Sequence, residues 1–87
     1  MIYTYFISKG WPGPIKIGRS KNPPTRMKHL QTGCPERLYL IAWIDGDLEQ
    51  MLHERFEPEC LLGEWFEPSE ALLDMIEGTD TYQEPEP

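Results

Sequence analysis

The chain has 87 residues and a formal net charge of −7, which limits it to one small domain whose core lies near the lower size that folds without disulfides or metals. Its two cysteines, the lack of a signal-peptide pattern and a longest apolar run of only residues 38–44 argue against a disulfide-stapled secreted scaffold and a membrane-spanning helix. We therefore expect a cytoplasmic protein without a membrane partner. The acidic total, taken alone, argues against nucleic acid.

The charge is divided unevenly along the chain. Residues 1–37 carry seven Lys or Arg and one Glu, a net +6, whereas residues 38–87 carry one Arg and fourteen acids, a net −13. Because polyanion binding depends on the local potential, the basic N-terminal lobe could bind DNA phosphates. The alternative is a solvated basic surface followed by an acidic tail.

Two β-strands are predicted near the start. Residues 3–7 and 15–20 are rich in aromatic and β-branched side chains and flank a turn-rich segment at 8–14. As neighbouring antiparallel strands they would bring the phenol of Tyr5 and the ammonium of Lys16 onto one small sheet.

The first helix has clear start and stop signals. Asn22 is a good N-cap, Pro23 suits the first helical position, and Gly33 predicts an end after about Gln31. Arg26 borders the apolar stripe of this helix, where its stem would be held by packing while its guanidinium reaches a cleft.

A third strand and a second helix follow. Residues 38–44 are continuously apolar, which predicts a central strand, and Asp45 or Asp47 is expected to cap the next helix. That helix has an amphipathic stripe formed by Leu48, Met51, Leu52, Arg55 and Phe56. Glu49 lies at the border of the stripe, with His53 one turn further along the same flank.

The last elements are short. Residues 63–66 are predicted to form a strand, and Ser69 to cap a helix from Glu70 to about Ile76. From residue 77 to 87 the composition is acidic and proline-containing with Tyr82 as its one large apolar group, which predicts a disordered tail. The fold class is therefore α/β (α+β) over residues 1–76: a small, three-stranded, mainly antiparallel sheet flanked by helices, in the order ββαβα.

Five features in this order resemble the motifs of the GIY-YIG nuclease family, in its small phage and bacterial single-domain branch. They are residues 5–7, residues 16–18 (with Lys16 where the common form has Tyr), Arg26, Glu49 and the closing segment 63–66. The resemblance covers residues 1–76, which it identifies as a catalytic domain. Each motif alone is weak, and their order and spacing carry the similarity.

The resemblance implies a metal-dependent endonuclease that hydrolyses, and specifically nicks, DNA. By this similarity Glu49 holds a single Mg²⁺ or Mn²⁺ and Arg26 stabilises the transition-state charge. Tyr5 takes the proton of the attacking water; because a phenol is a poor base at neutral pH, it needs a nearby cation such as Lys16.

Two further residues have open roles. His53 either orients the site or is an ordinary partly buried histidine, and Tyr3 either assists Tyr5 or packs in the core. The residues of the main motifs also have structural alternatives, such as a packed strand tyrosine or an edge-strand lysine. Glu64 and Trp65 lie where the resembling family often has a polar residue beside the site; Trp65 is expected to pack in the core, and the role of Glu64 is left open.

Other readings of the sequence lead to different functions. A zinc site is the less favoured metal alternative, because its candidate ligands lack the paired spacing of structural sites: His29, Cys34, His53 and Cys60. The main competitor to the nuclease is a catalytically weak binding module of the same fold that acts through DNA or protein contacts, and an RNA or DNA repair accessory is a third. A protein partner could supply specificity, since no accessory DNA-binding module is evident.

Overall fold

The sheet is built outward from a hairpin near the N-terminus. The structure, a computed structural model, describes residues 1–86. In chain order the elements are β1 (Tyr3–Lys9), β2 (Ile15–Ser20), α1 (Pro23–Thr32), β3 (Leu38–Asp45), α2 (Glu49–Arg55), β4 (Cys60–Leu62), β5 (Trp65–Phe66) and α3 (Glu70–Glu77), with a 3₁₀ turn at Glu57–Glu59.

The sheet has five antiparallel strands in the order β3-β1-β2-β5-β4, not the predicted three. The predicted closing strand is a tight hairpin of two very short strands, β4 and β5, that turns at Gly63 (φ +59°). Strands of three and two residues have too few positions for an alternating pattern, so only pairing with β2 defines them. The broad α+β assignment is confirmed.

Alternation along the hairpin directs two cores to opposite faces of the sheet. Phe6 and Ile17 are paired across β1 and β2 and are fully buried with residues of α2 and α3. Tyr5 and Ile7 are buried on the other face, with Met27 and other residues of α1 packed against them. The sheet is therefore covered on both sides, and its open edges are the places where polar groups can gather.

Strand β3 was predicted to be central because it is continuously apolar, and this was wrong. It lies at one edge of the sheet, and its apolar residues divide between the two cores. Its outer edge is met by the C-terminal segment: the Trp43 N–H donates to Thr81 Oγ1 (2.7 Å) and the Gln83 N–H donates to the Ile41 carbonyl (2.9 Å). The backbone N–H and C=O groups on the outer edge of β3 have no neighbouring strand, and the C-terminal segment supplies hydrogen-bond partners for them.

The disordered tail predicted for residues 77–87 also differs from the structure. Glu77 ends α3, and Tyr82 packs against the larger core. Together with the bonds from Thr81 and Gln83, this contact holds the segment on the sheet, and Pro87 lies outside the described residues. Composition could not show this, because the partners lie about 40 residues away in β3.

Two of the three predicted N-caps are confirmed. The side chains of Asn22 and Ser69 accept hydrogen bonds from the N–H groups three residues on, at the starts of α1 and α3. The expected Asp cap of α2 was wrong: the N-cap is Leu48, whose N–H donates to the buried Thr4 hydroxyl (2.8 Å). A tertiary contact thus replaces the local cap. Among residues 1–86 no helix has the length and apolar character needed to cross a membrane.

Candidate functional site

Three potential metal ligands meet beside the open part of strand β2. One ligand atom each from Glu49, His53 and Glu64 lies within 4.8 Å of the others, and all three residues are partly buried. Glu49 and His53 are four positions apart on α2 and so project from one side of the helix. Glu64 comes from the turn between β4 and β5, so the cluster is assembled by tertiary structure.

The backbone of Ile17 fixes two of these residues. Its N–H donates to the Glu64 carbonyl (3.1 Å), and its own carbonyl accepts a hydrogen bond from His53 Nε2 (2.8 Å). Because a carbonyl can only accept, Nε2 carries the proton and a neutral His53 ring has its free lone pair on Nδ1. A backbone hydrogen bond of this kind orients the histidines that bind metals in proteins.

Lys16 provides the positive charge of the cluster on the side of Glu64. Its Nζ lies 2.7 Å from Glu64 Oε2, and its side chain is only 12% exposed. The ammonium also lies 5.6 Å from the centre of the Trp65 ring. Lys16 is thus held by a carboxylate and an aromatic face. The sequence predicts a nearby cation for Tyr5 and does not predict this pairing with Glu64.

A second cation, Arg19, lies beside Glu49. Arg19 Nη1 lies 2.6 Å from Asp47 Oδ2, and Arg19 Nε lies 3.7 Å from Glu49 Oε2. The Arg19 side chain is 59% exposed, so it can meet a ligand approaching from solvent. The sequence pattern does not point to Arg19, because its place next to α2 depends on how the helix packs against β2.

The two carboxylates differ in their affinity for a proton. Burial raises the pKa of Glu49, and a hydrogen bond with Glu64 and the charge of that residue raise it further, against the opposing effects of His53 and Arg19. Burial also acts to raise the pKa of Glu64, but hydrogen bonds from Lys16 and Glu49 outweigh it, so this pKa is lowered. Glu49 thus holds a proton more tightly because it is partly buried and because a second carboxylate is close.

The chemistry of the donor set fits a divalent cation. A divalent cation between the two carboxylates would relieve their mutual repulsion. Mg²⁺ typically binds one or two protein carboxylates and keeps several waters. An imidazole nitrogen in the same group adds a ligand that transition metals such as Mn²⁺ accept more readily. A water or phosphate oxygen would complete the coordination from the exposed side.

Tyr5 packs against strand β2 next to Ile17. It is 1% exposed, and it pairs with Gly18 across the hairpin. A Cβ added at Gly18 would overlap the Tyr5 hydroxyl and lie 2.5 Å from its Cζ. The phenol therefore fills the space that the glycine leaves, while Tyr3 is half-buried further along the same strand.

Arg26 is exposed on α1, which packs on the other face of the sheet from α2, and it forms no ion pair within the described residues 1–86. The structure therefore brings together Lys16, Glu49 and His53 of the predicted residues and adds Glu64 and Arg19.

The alternative zinc site is not assembled. Within residues 1–86, the only group of three or more His, Cys, Asp or Glu ligands is the cluster of Glu49, His53 and Glu64. His29 lies on α1 and His53 on α2, on opposite faces of the sheet, and Cys60 is exposed in β4.

Comparison with known proteins corrects the resemblance drawn from the motifs. The family model described as "T5orf172 domain" matches residues 2–79. This is a different family from GIY-YIG, to which the motif order had assigned the chain, so that assignment was wrong. Short motifs built from common residue types can occur in the same order in proteins of different families. None of the curated proteins and none of the solved structures compared with this chain matches it.

Proposed function

We propose that this chain, which belongs to the T5orf172 domain family, is a metal-dependent endonuclease that hydrolyses phosphodiester bonds in DNA. The observation that carries the proposal is the meeting of Glu49, His53 and Glu64 within 4.8 Å, beside two cations. Anionic ligands for a metal next to side chains that attract phosphate are the combination that phosphodiester hydrolysis requires.

Each residue of the cluster has a distinct task in this proposal. Glu49 and Glu64 would supply the carboxylate ligands, and His53 the imidazole, held in place through its bond to the Ile17 carbonyl. A divalent cation bound there would act as a Lewis acid on the phosphodiester and stabilise the departing oxygen. Mg²⁺ suits the two carboxylates, and Mn²⁺ suits the full set.

The two cations act on opposite sides of the carboxylates. Lys16 fixes Glu64 through the 2.7 Å ion pair, so that one of its oxygens has a defined direction. Arg19 is exposed and can turn from Asp47 toward a phosphate, to which a guanidinium binds well. Arg26, exposed on α1, would contact the DNA backbone outside the reacting group.

Tyr5 has a different task from the one that the motif suggested. Its side chain is 1% exposed, and its hydroxyl lies over Gly18 of β2. We propose that it is a positioning residue, whose phenol packs on Gly18 and fixes strand β2 and with it Lys16. Tyr5→Phe should therefore retain most of the activity.

A binding module without catalysis is the second candidate. The observation in its favour is that Tyr5 is 1% exposed and that Arg26 forms no ion pair within residues 1–86, although both are expected to act on the substrate. In that case Lys16 and Arg19 would neutralise Glu64 and Glu49 as structural ion pairs, and the protein would act through contacts alone.

Relaxation of supercoiled plasmid separates the two functions. The wild type should nick DNA with Mg²⁺ or Mn²⁺ but not in a chelator. Glu49→Gln and Glu64→Gln should lose nicking while Glu54→Gln, an exposed position on the same helix, retains it. No nicking by the wild type with either metal, or full nicking by Glu49→Gln, would contradict the nuclease.

A further inference from the structure

A groove lies between α1, β3 and the C-terminal segment, and it shares no residue with the carboxylate cluster. Its volume is about 680 Å³, within the range of roughly 300–1,000 Å³ typical of small-ligand sites. Leu38, Leu40 and Trp43 of β3 line it, together with Met27 of α1. These side chains give the groove apolar walls and one large aromatic surface.

One basic side chain stands at the rim of the groove, just before β3. Arg37 lines the groove, is exposed, and holds its guanidinium 5.6 Å from the centre of the Tyr39 ring. Residues 21–37 as a whole carry four Lys or Arg and one Glu. Helix α1, which supplies Met27 to the lining, carries Arg26 and Lys28 as exposed cations. Positive side chains at these places attract a polyanion.

The opposite rim is acidic and belongs to the C-terminal segment. Glu84 and Glu86 both line the groove. The bonds of Thr81 and Gln83 to β3 hold the chain immediately before Glu84 on the sheet. Within residues 1–86 neither carboxylate forms an ion pair with Arg37, so both remain available to attract the surrounding cations and to repel an anion.

We propose that this groove binds an unpaired base of single-stranded DNA and that Glu84 and Glu86 compete with the strand's phosphates for Arg37. Trp43 would provide the stacking surface, since aromatic side chains bind bases of any identity in this way. Arg37 and the cations of α1 would contact the phosphates. The tethered carboxylates act at a high effective concentration, so the competition needs no partner.

The inference goes beyond the proposed nuclease function and does not rest on it. Binding requires no divalent cation, so it can be measured in a chelator, where the carboxylate cluster is inactive. A failure of the groove proposal therefore leaves the nuclease proposal unaffected, and the reverse is equally true.

Fluorescence anisotropy of a labelled oligothymidylate tests the proposal in EDTA at low salt with the full-length chain. The double variant Glu84→Gln/Glu86→Gln should bind about three- to tenfold more tightly than the wild type, since each neighbouring like charge weakens binding modestly. The matched control is Glu54→Gln/Glu57→Gln, at exposed positions that lie outside the groove. It changes the net charge equally and should alter affinity less than about twofold, because distant charges are screened.

Two further arms test the base and the cation. An abasic strand of the same length should bind about tenfold more weakly, since stacking on Trp43 is lost, and Arg37→Gln should weaken binding of the intact strand. Equal gains from the two double variants would show only a general charge effect and overturn the competition. Equal binding of abasic and intact strands, tighter binding of duplex than of single strand, or no binding by any variant would overturn the groove as a base site.

Discussion

Glu64 Oε2 lies 2.7 Å from Lys16 Nζ, although the two residues are 48 positions apart in the chain. The contact forms because β5 pairs with β2 and its preceding turn returns Glu64 to the start of that strand. This pair joins the hairpin to the carboxylate cluster. It also explains how a small domain keeps Glu64 ionised beside Glu49.

Lys16→Met should therefore destabilise the metal-free protein at neutral pH. The loss should be about 1 kcal/mol, the upper end for a surface pair, because Glu64 is 39% exposed and screened by solvent. The folded state lowers the pKa of Glu64, so the stability from this pair is present above the usual carboxyl pKa and is lost as the pH falls through the folded-state value. Urea unfolding at pH 7 and at acidic pH measures both effects.

The exposed Lys21 provides the control for that experiment. Lys21→Met should change the free energy of unfolding little at either pH. A Lys16→Met deficit that stays constant with pH would show that packing, and not the ion pair, is lost.

Glu49→Gln should stabilise the metal-free protein near pH 7.5. The pKa of Glu49 is raised in the folded state, so its contribution to stability is fully present below the unfolded-state pKa and is lost as the pH rises through the folded-state value. Gln keeps the uncharged form, and its Tm should exceed that of the wild type by about 2–4 °C. The gain should disappear at acidic pH, and Glu54→Gln should show no such gain. A lower Tm for Glu49→Gln at pH 7.5 would mean that attraction to Arg19 exceeds repulsion from Glu64.

Gly18→Ala should disturb the hairpin. The added methyl group would overlap the Tyr5 phenol, and overpacking of a core typically costs about 1–3 kcal/mol. Gly33→Ala is the matched control, since nothing lies within 4 Å of a Cβ at that position. Thermal unfolding of both variants measures the difference, and Tyr5→Leu/Gly18→Ala should recover part of the loss. Equal stability of the two single variants would contradict the close approach of Tyr5 to Gly18.

Truncation should separate the anchored and the acidic parts of the C-terminal segment. A chain that stops after Gly78 loses Tyr82 from the core and three hydrogen bonds to the backbone of β3, which should cost about 2 kcal/mol. A chain that stops after Gln83 keeps these contacts and should match the wild type within about 0.5 kcal/mol. If both truncations unfold like the full chain, the segment is not docked in solution.

Local signals in the sequence predicted the elements that depend on neighbouring residues. Asn22 and Ser69 cap their helices because a side-chain oxygen two or three positions before an N–H can accept its bond in any tertiary setting. The apolar stripe placed Leu52 and Phe56 in the core, and both are buried. The same helix geometry placed Glu49 and His53 on one flank.

The remaining features depend on contacts between distant parts of the chain. Thr4 replaces the expected aspartate at the start of α2, because a buried hydroxyl meets the Leu48 N–H. Glu64 joins Glu49 and His53 only when the β4–β5 hairpin pairs with β2. The sequence points to Glu64 only through its position between Gly63 and the aromatic Trp65. That position does not indicate which residues Glu64 contacts.

The most direct test of the central claim, that Glu49, His53 and Glu64 form one divalent-cation site, is calorimetric titration of Mn²⁺ into the metal-free protein near pH 7.5. The wild type should bind one ion per chain. Glu49→Gln and Glu64→Gln should lose that binding, and His53→Gln should weaken it while leaving the fold intact by circular dichroism. Binding of Mn²⁺ by Glu49→Gln with the affinity of the wild type, or no binding by the wild type, would contradict the claim.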